Sequence, residues 1–136
     1  MANQVHPNVV RVFGLDQGVA ELFGYEVVQA SDGQCVIRSV VSQQFVNAAG
    51  FGHGSLAFTL MDTASAYAVA STESMGVTVN ANVTYVKPLS AGDEVMASSS
   101  ILTRSKRMVS LRSEVLVGES LVAHGTFMFQ LLESNN

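Results

Sequence analysis

The stretch Asn47–Ser71, NAAGFGHGSLAFTLMDTASAYAVAS, decides the fold. It opens with Gly50, Gly52 and Gly54, then runs from Ser55 to Ala70 without another glycine or a proline. That second part is rich in alanine and too long for a typical strand, so it reads as a helix. Leu56, Ala57, Phe58, Leu60, Met61, Ala64, Tyr67, Ala68 and Val69 carry apolar surface most of the way round it. Such a helix belongs inside the molecule. Asp62 interrupts it, on a narrow stripe with Ser55, Thr59 and Ala66 that the 3.6-residue period brings together. A carboxylate costs free energy to bury. Two readings of Asp62 are open: a structural acid bonded to nearby hydroxyls, or a group kept for chemistry.

Outward from this helix the pattern changes. Before it, GYEVVQA and QCVIRSVVSQQF flank Ser31-Asp32-Gly33 and predict a hairpin. Further upstream, apolar residues at mixed spacing from Pro7 to Phe23 predict one or two short helices. After it, β-branched residues dominate GVTVNANVTYV, DEVMASSSILT, MVSLRSEVLV and SLVAHGTFMFQLL. Turns are expected at Pro88–Gly92, Arg104–Arg107 and Gly118-Glu119. Two strands, a long helix and four strands predict an α+β domain, one antiparallel sheet wrapped on one buried helix. The 136 residues fit a single domain, with a helical segment over 1–24 and the core over 25–133.

Composition narrows the function. Apolar residues make up 48% and charged residues only 13%, a sparse surface for a small monomer, so an oligomer is expected. A net charge of −4 speaks against nucleic acid as the partner. Cys35 is the single cysteine, which leaves no disulfide framework and suits a reducing compartment. The N-terminus lacks the charged and apolar regions of a signal peptide, and Asp62 interrupts the longest apolar run. A cytoplasmic protein without a membrane span is expected.

The glycines before the helix admit a chemical role beside the plain one of a flexible turn. A helix N-terminus presents unpaired N–H groups and a positive dipole end, and a residue without Cβ lets a substrate oxygen approach. That makes Gly54 a candidate oxyanion donor. Gly54 and Asp62 are separated by about 12 Å along a helix axis, too far to serve one reacting carbonyl. If both act, Gly54 of one subunit must meet Asp62 of another. Other chemistries fit less well. His6, His53 and His124 show no metal-ligand spacing. Ser55 lacks the flanking glycines of a nucleophile elbow, and there is no phosphate-binding glycine loop. Arg104, Lys106, Arg107 and Arg112 concentrate four of the seven basic residues in one short stretch, either an ordinary solvated turn or a grip for phosphate.

NAAGFGHGSLAFTLMD resembles the N-x-x-G-x-x-H-G-G-x-x-x-x-L-x-D signature of hotdog-fold acyl-CoA thioesterases, in particular the PaaI-type group of phenylacetic acid degradation. VTVNANVTYVKPLSAGDEV is similar to the strand, proline turn and strand that follow in that group, and the likeness runs from about Cys35 to Leu131. The resemblance implies the hotdog fold, a homodimer with a continuous sheet, often a homotetramer, and an active site built from two subunits. It implies hydrolysis of an acyl-CoA to the free acid and coenzyme A, with coenzyme A as part of the substrate and no further cofactor or metal. Asp62 matches the catalytic carboxylate and Gly54 the backbone donor. Asn47 and His53 match residues that shape the loop and support the thioester, and Thr78 one that helps place water. Arg104, Lys106 and Arg107 then suit the phosphates of coenzyme A. Ser55 departs from the signature, standing where a second glycine is usual. The alternatives are a hotdog hydratase or dehydratase, and a non-catalytic acyl-CoA binding module. The acyl group is not carried by these motifs.

Overall fold

The computed structural model describes residues 4–133. Helices α1 (Pro7–Leu15) and α2 (Gln17–Phe23) precede strands β1 (Glu26–Ser31) and β2 (Gln34–Val40). The long helix α3 (Gly54–Ala70) follows, and then β3 (Gly76–Tyr85), β4 (Glu94–Arg104), β5 (Met108–Val117) and β6 (Ser120–Leu131). All strand pairings are antiparallel, in the spatial order β1-β2-β4-β5-β6-β3. The segment read as helical over 1–24 contains α1 and α2; residues 1–3 and 134–136, at the ends of the expected division, lie outside the described residues. No helix among the described residues is long and apolar enough to cross a membrane.

The sheet curls around α3, which packs against all six strands. Leu56, Leu60, Met61, Ala64, Tyr67 and Ala68 are wholly removed from solvent, and Ile37, Val95, Leu111, Phe127 and Phe129 meet them from the sheet. The hairpin between β1 and β2 turns on Asp32 and Gly33, both left-handed (φ 54° and 78°). Asp-Gly suits that turn because the two residues tolerate positive φ best, and its twist matches the strands. The Gly33 N–H then donates to Ser71 Oγ at 2.8 Å, tying the turn to the end of α3.

One expectation fails here. The second strand does not run to Phe45; it ends at Val40, and Gln43–Phe45 form a short 3-10 turn. Val41 exchanges backbone hydrogen bonds with Asp93 and Gly92, and Ser42 Oγ accepts from the Gln44 N–H. These local partners satisfy the backbone where the chain leaves the sheet.

A buried serine chain fixes how α3 is rotated. Ser65 Oγ on α3 lies 3.0 Å from Ser99 Oγ on β4, and Ser99 donates to Ser113 Oγ on β5 at 2.8 Å. Ser113 Oγ in turn donates to the Ser98 carbonyl at 3.0 Å. All three side chains are buried. Of the run Ser98-Ser99-Ser100, strand alternation turns only Ser99 fully inward. On the other flank, Tyr67 donates to Asp16 between α1 and α2 at 2.8 Å and pairs with Tyr25 at 2.9 Å. Burial pushes both tyrosine hydroxyls above their ordinary range.

Removing the middle of the serine chain strands Ser65, while Ser113 keeps its bond to the Ser98 carbonyl. Ser99→Ala is expected to destabilise the protein by about 1–3 kcal/mol, the cost of a buried hydroxyl without a partner. Urea unfolding at fixed protein concentration checks this: the midpoint should fall with the slope unchanged.

Candidate active site

The loop that leads into α3 is built by Asn47. Its Oδ1 accepts the N–H groups of Ala49 and Phe51, each at 3.0 Å, while its own N–H donates to the Phe51 carbonyl. Gly50 closes the turn at φ 89°, a conformation open to glycine at little cost. Gly52 N–H donates to the Leu89 carbonyl at 2.7 Å, and a Cβ on Gly52 would lie 2.9 Å from the Leu89 side chain. No other residue fits there without displacement. His53 N–H donates to the Phe45 carbonyl, and the chain turns into α3.

At the start of α3 the His53 side chain acts as the cap, its Nδ1 accepting the Ser55 N–H at 3.0 Å. The Gly54 N–H has no acceptor among the described residues. It stands at the positive end of a 17-residue helix. A cavity of about 300 Å³ opens at this point, with Asn47, His53 and Gly54 on one side and Phe51, Ala57 and Leu89 supplying apolar wall. Tyr85, at the end of β3, covers Gly54: its ring would touch a Cβ placed there at 3.5 Å, and its hydroxyl donates to the Gly54 carbonyl at 3.1 Å. Sequence reasoning missed Tyr85. Its only signal was its place at the end of a strand, just before the proline turn.

Asp62 lies on the same helix, about 12 Å along the axis from Gly54. It is half-buried, and Thr78 Oγ1 on β3 donates to its Oδ1 at 2.6 Å. Burial raises the carboxyl above the usual aspartate range, and the Thr78 hydrogen bond opposes the rise by favouring the anion. Asn47, His53 and Gly54 therefore gather at one end of α3, while Asp62 and Thr78 form a separate pair near its middle. Within one chain these halves do not meet.

The basic residues lie elsewhere again. Arg104 donates to Thr72 Oγ1 and Ser74 Oγ, just past the C-terminal end of α3, at 2.8 and 2.7 Å. Arg112 pairs with Glu114 at 3.6 Å. Lys106 and Arg107 are exposed in the β4–β5 turn and pair with no carboxylate among the described residues. Arg104 thus reaches the end of α3 opposite Gly54, a helix length of about 25 Å away.

A single buried helix inside a curled antiparallel sheet is the hotdog architecture among α+β proteins, here with an unpaired N–H at the helix start and a carboxylate on its flank. The thioesterase superfamily model matches residues 49–124, more than half of the chain, and the chain belongs to that family. Acyl-coenzyme A thioesterase 13 of Homo sapiens is 32% identical over 84 residues, which cover 60% of this chain and 60% of the relative. Acyl-coenzyme A thioesterase PaaI of Escherichia coli is 28% identical over 88 residues, covering 65% and 63%. The match thus spans under two thirds of the length of these curated relatives. A mutant form of the phenylacetic acid degradation protein PaaI from Thermus thermophilus superimposes with a TM-score of 0.81 at 29% identity, over 85% of this chain and 99% of that one. The resemblance to the PaaI-type group is borne out by these relatives, as is the hotdog fold.

The raised Asp62 carboxyl has a thermodynamic consequence. Its folded-state value lies above its unfolded one, so the associated stability is present at low pH and is lost as pH rises through the folded value. An amide carries no such penalty. Asp62→Asn should therefore gain thermal stability relative to the native protein as pH rises from 4 to 7, while keeping the Thr78 hydrogen bond. Paired melting curves at the two pH values check this, and a mutant that loses stability most at pH 7 contradicts it.

Proposed function

We propose that the protein is an acyl-CoA thioesterase whose active site is shared between two subunits of a homodimer. The observation that carries the reading is the division of one set of catalytic groups along α3. An unpaired helix-start N–H borders a cavity at Gly54, and a half-buried carboxylate waits at Asp62, with an axial separation of about 12 Å between them. The similarity to acyl-coenzyme A thioesterases supports the substrate class.

The edge strand β3 supports the dimer. GVTVNANVTY holds no charged residue and no proline, and Val77 and Val79 are about half exposed, at 49% and 47%. An edge without these protections invites strand pairing. The opposite edge, β1, is blocked: Val5 bridges to Ala30 and a bulge interrupts it between Val27 and Gln29. A second copy paired along β3 continues the sheet and brings Asp62 of the partner subunit toward Gly54. Val10, Leu15, Val19 and Leu22 leave further apolar surface on α1 and α2, which supports a homotetramer. A buried Cys35, its thiol pushed up to about 12 by burial, suits a reducing cytoplasm.

In this mechanism the thioester carbonyl accepts from Gly54 N–H, and the helix dipole steadies the charge that develops on oxygen. Asp62 of the partner subunit then follows one of two routes. It removes a proton from water as the water oxygen bonds to the carbonyl carbon, or it bonds to that carbon itself and forms an anhydride that water later cleaves. In both, the C–S bond breaks and the coenzyme A thiolate leaves and takes up a proton. The carboxylate and water suffice, with coenzyme A as part of the substrate. Asn47 holds the loop and His53 supports the thioester. Thr78 positions the carboxylate and its water.

Incubation with a panel of aryl, short-chain and medium-chain acyl-CoAs and a thiol-trapping dye tests the activity. Hydrolysis releases free thiol; a hydratase or a binding module releases none. Asp62→Asn should lower kcat by about 100-fold or more at similar KM, because the amide is neither base nor nucleophile. A folded mutant with native kcat removes Asp62 from the chemistry.

The Thr78 bond makes a signed prediction. Its loss removes a stabiliser of the anion, so Thr78→Val should raise the Asp62 pKa further. The acid limb of the kcat profile should then move to higher pH. A limb unmoved or shifted to lower pH contradicts the assignment.

Arg104, Lys106 and Arg107 hold the phosphates of the substrate in this reading, with Lys106 and Arg107 the freer pair. Exposed contacts remote from the breaking bond add uniform binding and are screened by salt. Arg107→Ala should raise KM several-fold at low ionic strength with little change in kcat. An unchanged KM returns the cluster to a solvated turn.

A further inference from the structure

Ser55 occupies the position at which the signature resembled by this loop carries glycine, and its side chain is not idle. Two donors of this one residue converge on one nitrogen. Ser55 N–H lies 3.0 Å from His53 Nδ1, and Ser55 Oγ lies 2.8 Å from the same atom. The backbone N–H can only donate, so Nδ1 must present its lone pair. With that lone pair facing Ser55, a hydroxyl oxygen at 2.8 Å is repelled unless its proton points at the nitrogen. Ser55 therefore donates twice, and the proton of the neutral imidazole resides on Nε2. The ring borders the cavity at which the Gly54 N–H also lies unpaired.

We propose that Ser55 is a positioning residue: its hydroxyl joins its N–H in holding His53 in the Nε2–H tautomer and in one ring orientation. This makes Nε2–H a fixed donor to the substrate carbonyl beside Gly54 N–H. The inference rests on the thioesterase reading for its catalytic consequence, but the tautomer is a property of the free protein. A carbonyl oxygen has two lone pairs, so a backbone donor and an imidazole donor can serve it together. With glycine at this position a single backbone bond at an exposed helix start would hold the ring. The serine adds a second tether from the same short segment, at a site where the backbone is already fixed by the Phe45 and Leu89 carbonyls.

The test compares the native protein with Ser55→Ala and Ser55→Thr. Alanine removes only the hydroxyl and is a good helix former, and threonine restores a hydroxyl at the same place. The ¹⁵N spectrum of the imidazoles reads the tautomer without substrate, with the His53 signals identified by their loss in His53→Asn. The native protein should show His53 with its proton on Nε2, Ser55→Ala a measurable share of the Nδ1–H form beside the Nε2–H form that the remaining backbone N–H still favours, and Ser55→Thr the native pattern. With an acyl-CoA that the native protein hydrolyses, Ser55→Ala should lower kcat about fivefold, the worth of one ordinary hydrogen bond, at unchanged KM. Ser55→Thr should recover most of it. An identical His53 spectrum in Ser55→Ala overturns the proposal whatever the activity. A changed spectrum with native kcat overturns the positioning role. If the native protein cleaves no acyl-CoA, the thioesterase reading and the catalytic consequence fall together, while the spectrum still decides whether Ser55 sets the tautomer.

Discussion

A helix enclosed by a sheet over most of its circumference has few places where a charge can stand, and the rotation of that helix decides where they are. In α3 the rotation is set from the buried side. Ser65, Ser99 and Ser113 link the helix to β4 and β5 through hydroxyls that find no water to replace a lost partner. Apolar packing alone tolerates some slippage, whereas hydrogen-bonded hydroxyls demand one register. With Ser65 turned into the sheet, Asp62 faces the seam beside β3, where Thr78 meets it. The carboxylate thus stays partly desolvated without being sealed in the core.

The same helix sets the scale of the site. Its start carries Gly54 and the loop built by Asn47, and its middle carries Asp62, so the helical rise holds them apart whatever the side chains do. Flexing a loop does not close such a gap. In the proposed homodimer a second copy of the chain closes it, and β3 offers an uncharged edge on which such a copy can pair. Sparse surface charge, an open edge strand and a divided site are the three observations that the proposed homodimer accounts for together.

Much of this was legible in the residues. The unbroken run from Ser55 to Ala70 marked the buried helix because no surface helix is apolar all round. Asp32-Gly33 marked the first hairpin because a two-residue turn of the type I′ kind needs positive φ at both positions. The loop from Asn47 to Gly54 was legible through its glycines and through resemblance. Other features were hidden. Ser98-Ser99-Ser100 looks like polar surface, and only the strand register shows that Ser99 points inward. The end of β2 at Val40 depended on bonds to Asp93 and Gly92, distant in sequence. Tyr85 over Gly54, and the distance of the arginine cluster from it, arise from how β3 and the β4–β5 turn pack on opposite ends of α3. Spacing along the chain carries no signal for either.

The central claim is that Gly54 and Asp62 of different subunits make one site, and subunit mixing tests it most directly. Asp62→Asn disables one half. Gly54→Pro disables the other by removing the N–H, and proline is well tolerated at the first position of a helix. His53, at φ −61° and ψ 139°, already has the backbone that a following proline requires. Each mutant alone should be nearly inactive. After subunit exchange at equal concentrations, half of the dimers are mixed and each has one intact site, so about a quarter of native activity should return. No recovery, with exchange demonstrated by mass spectrometry of the mixed dimers, would contradict a shared site.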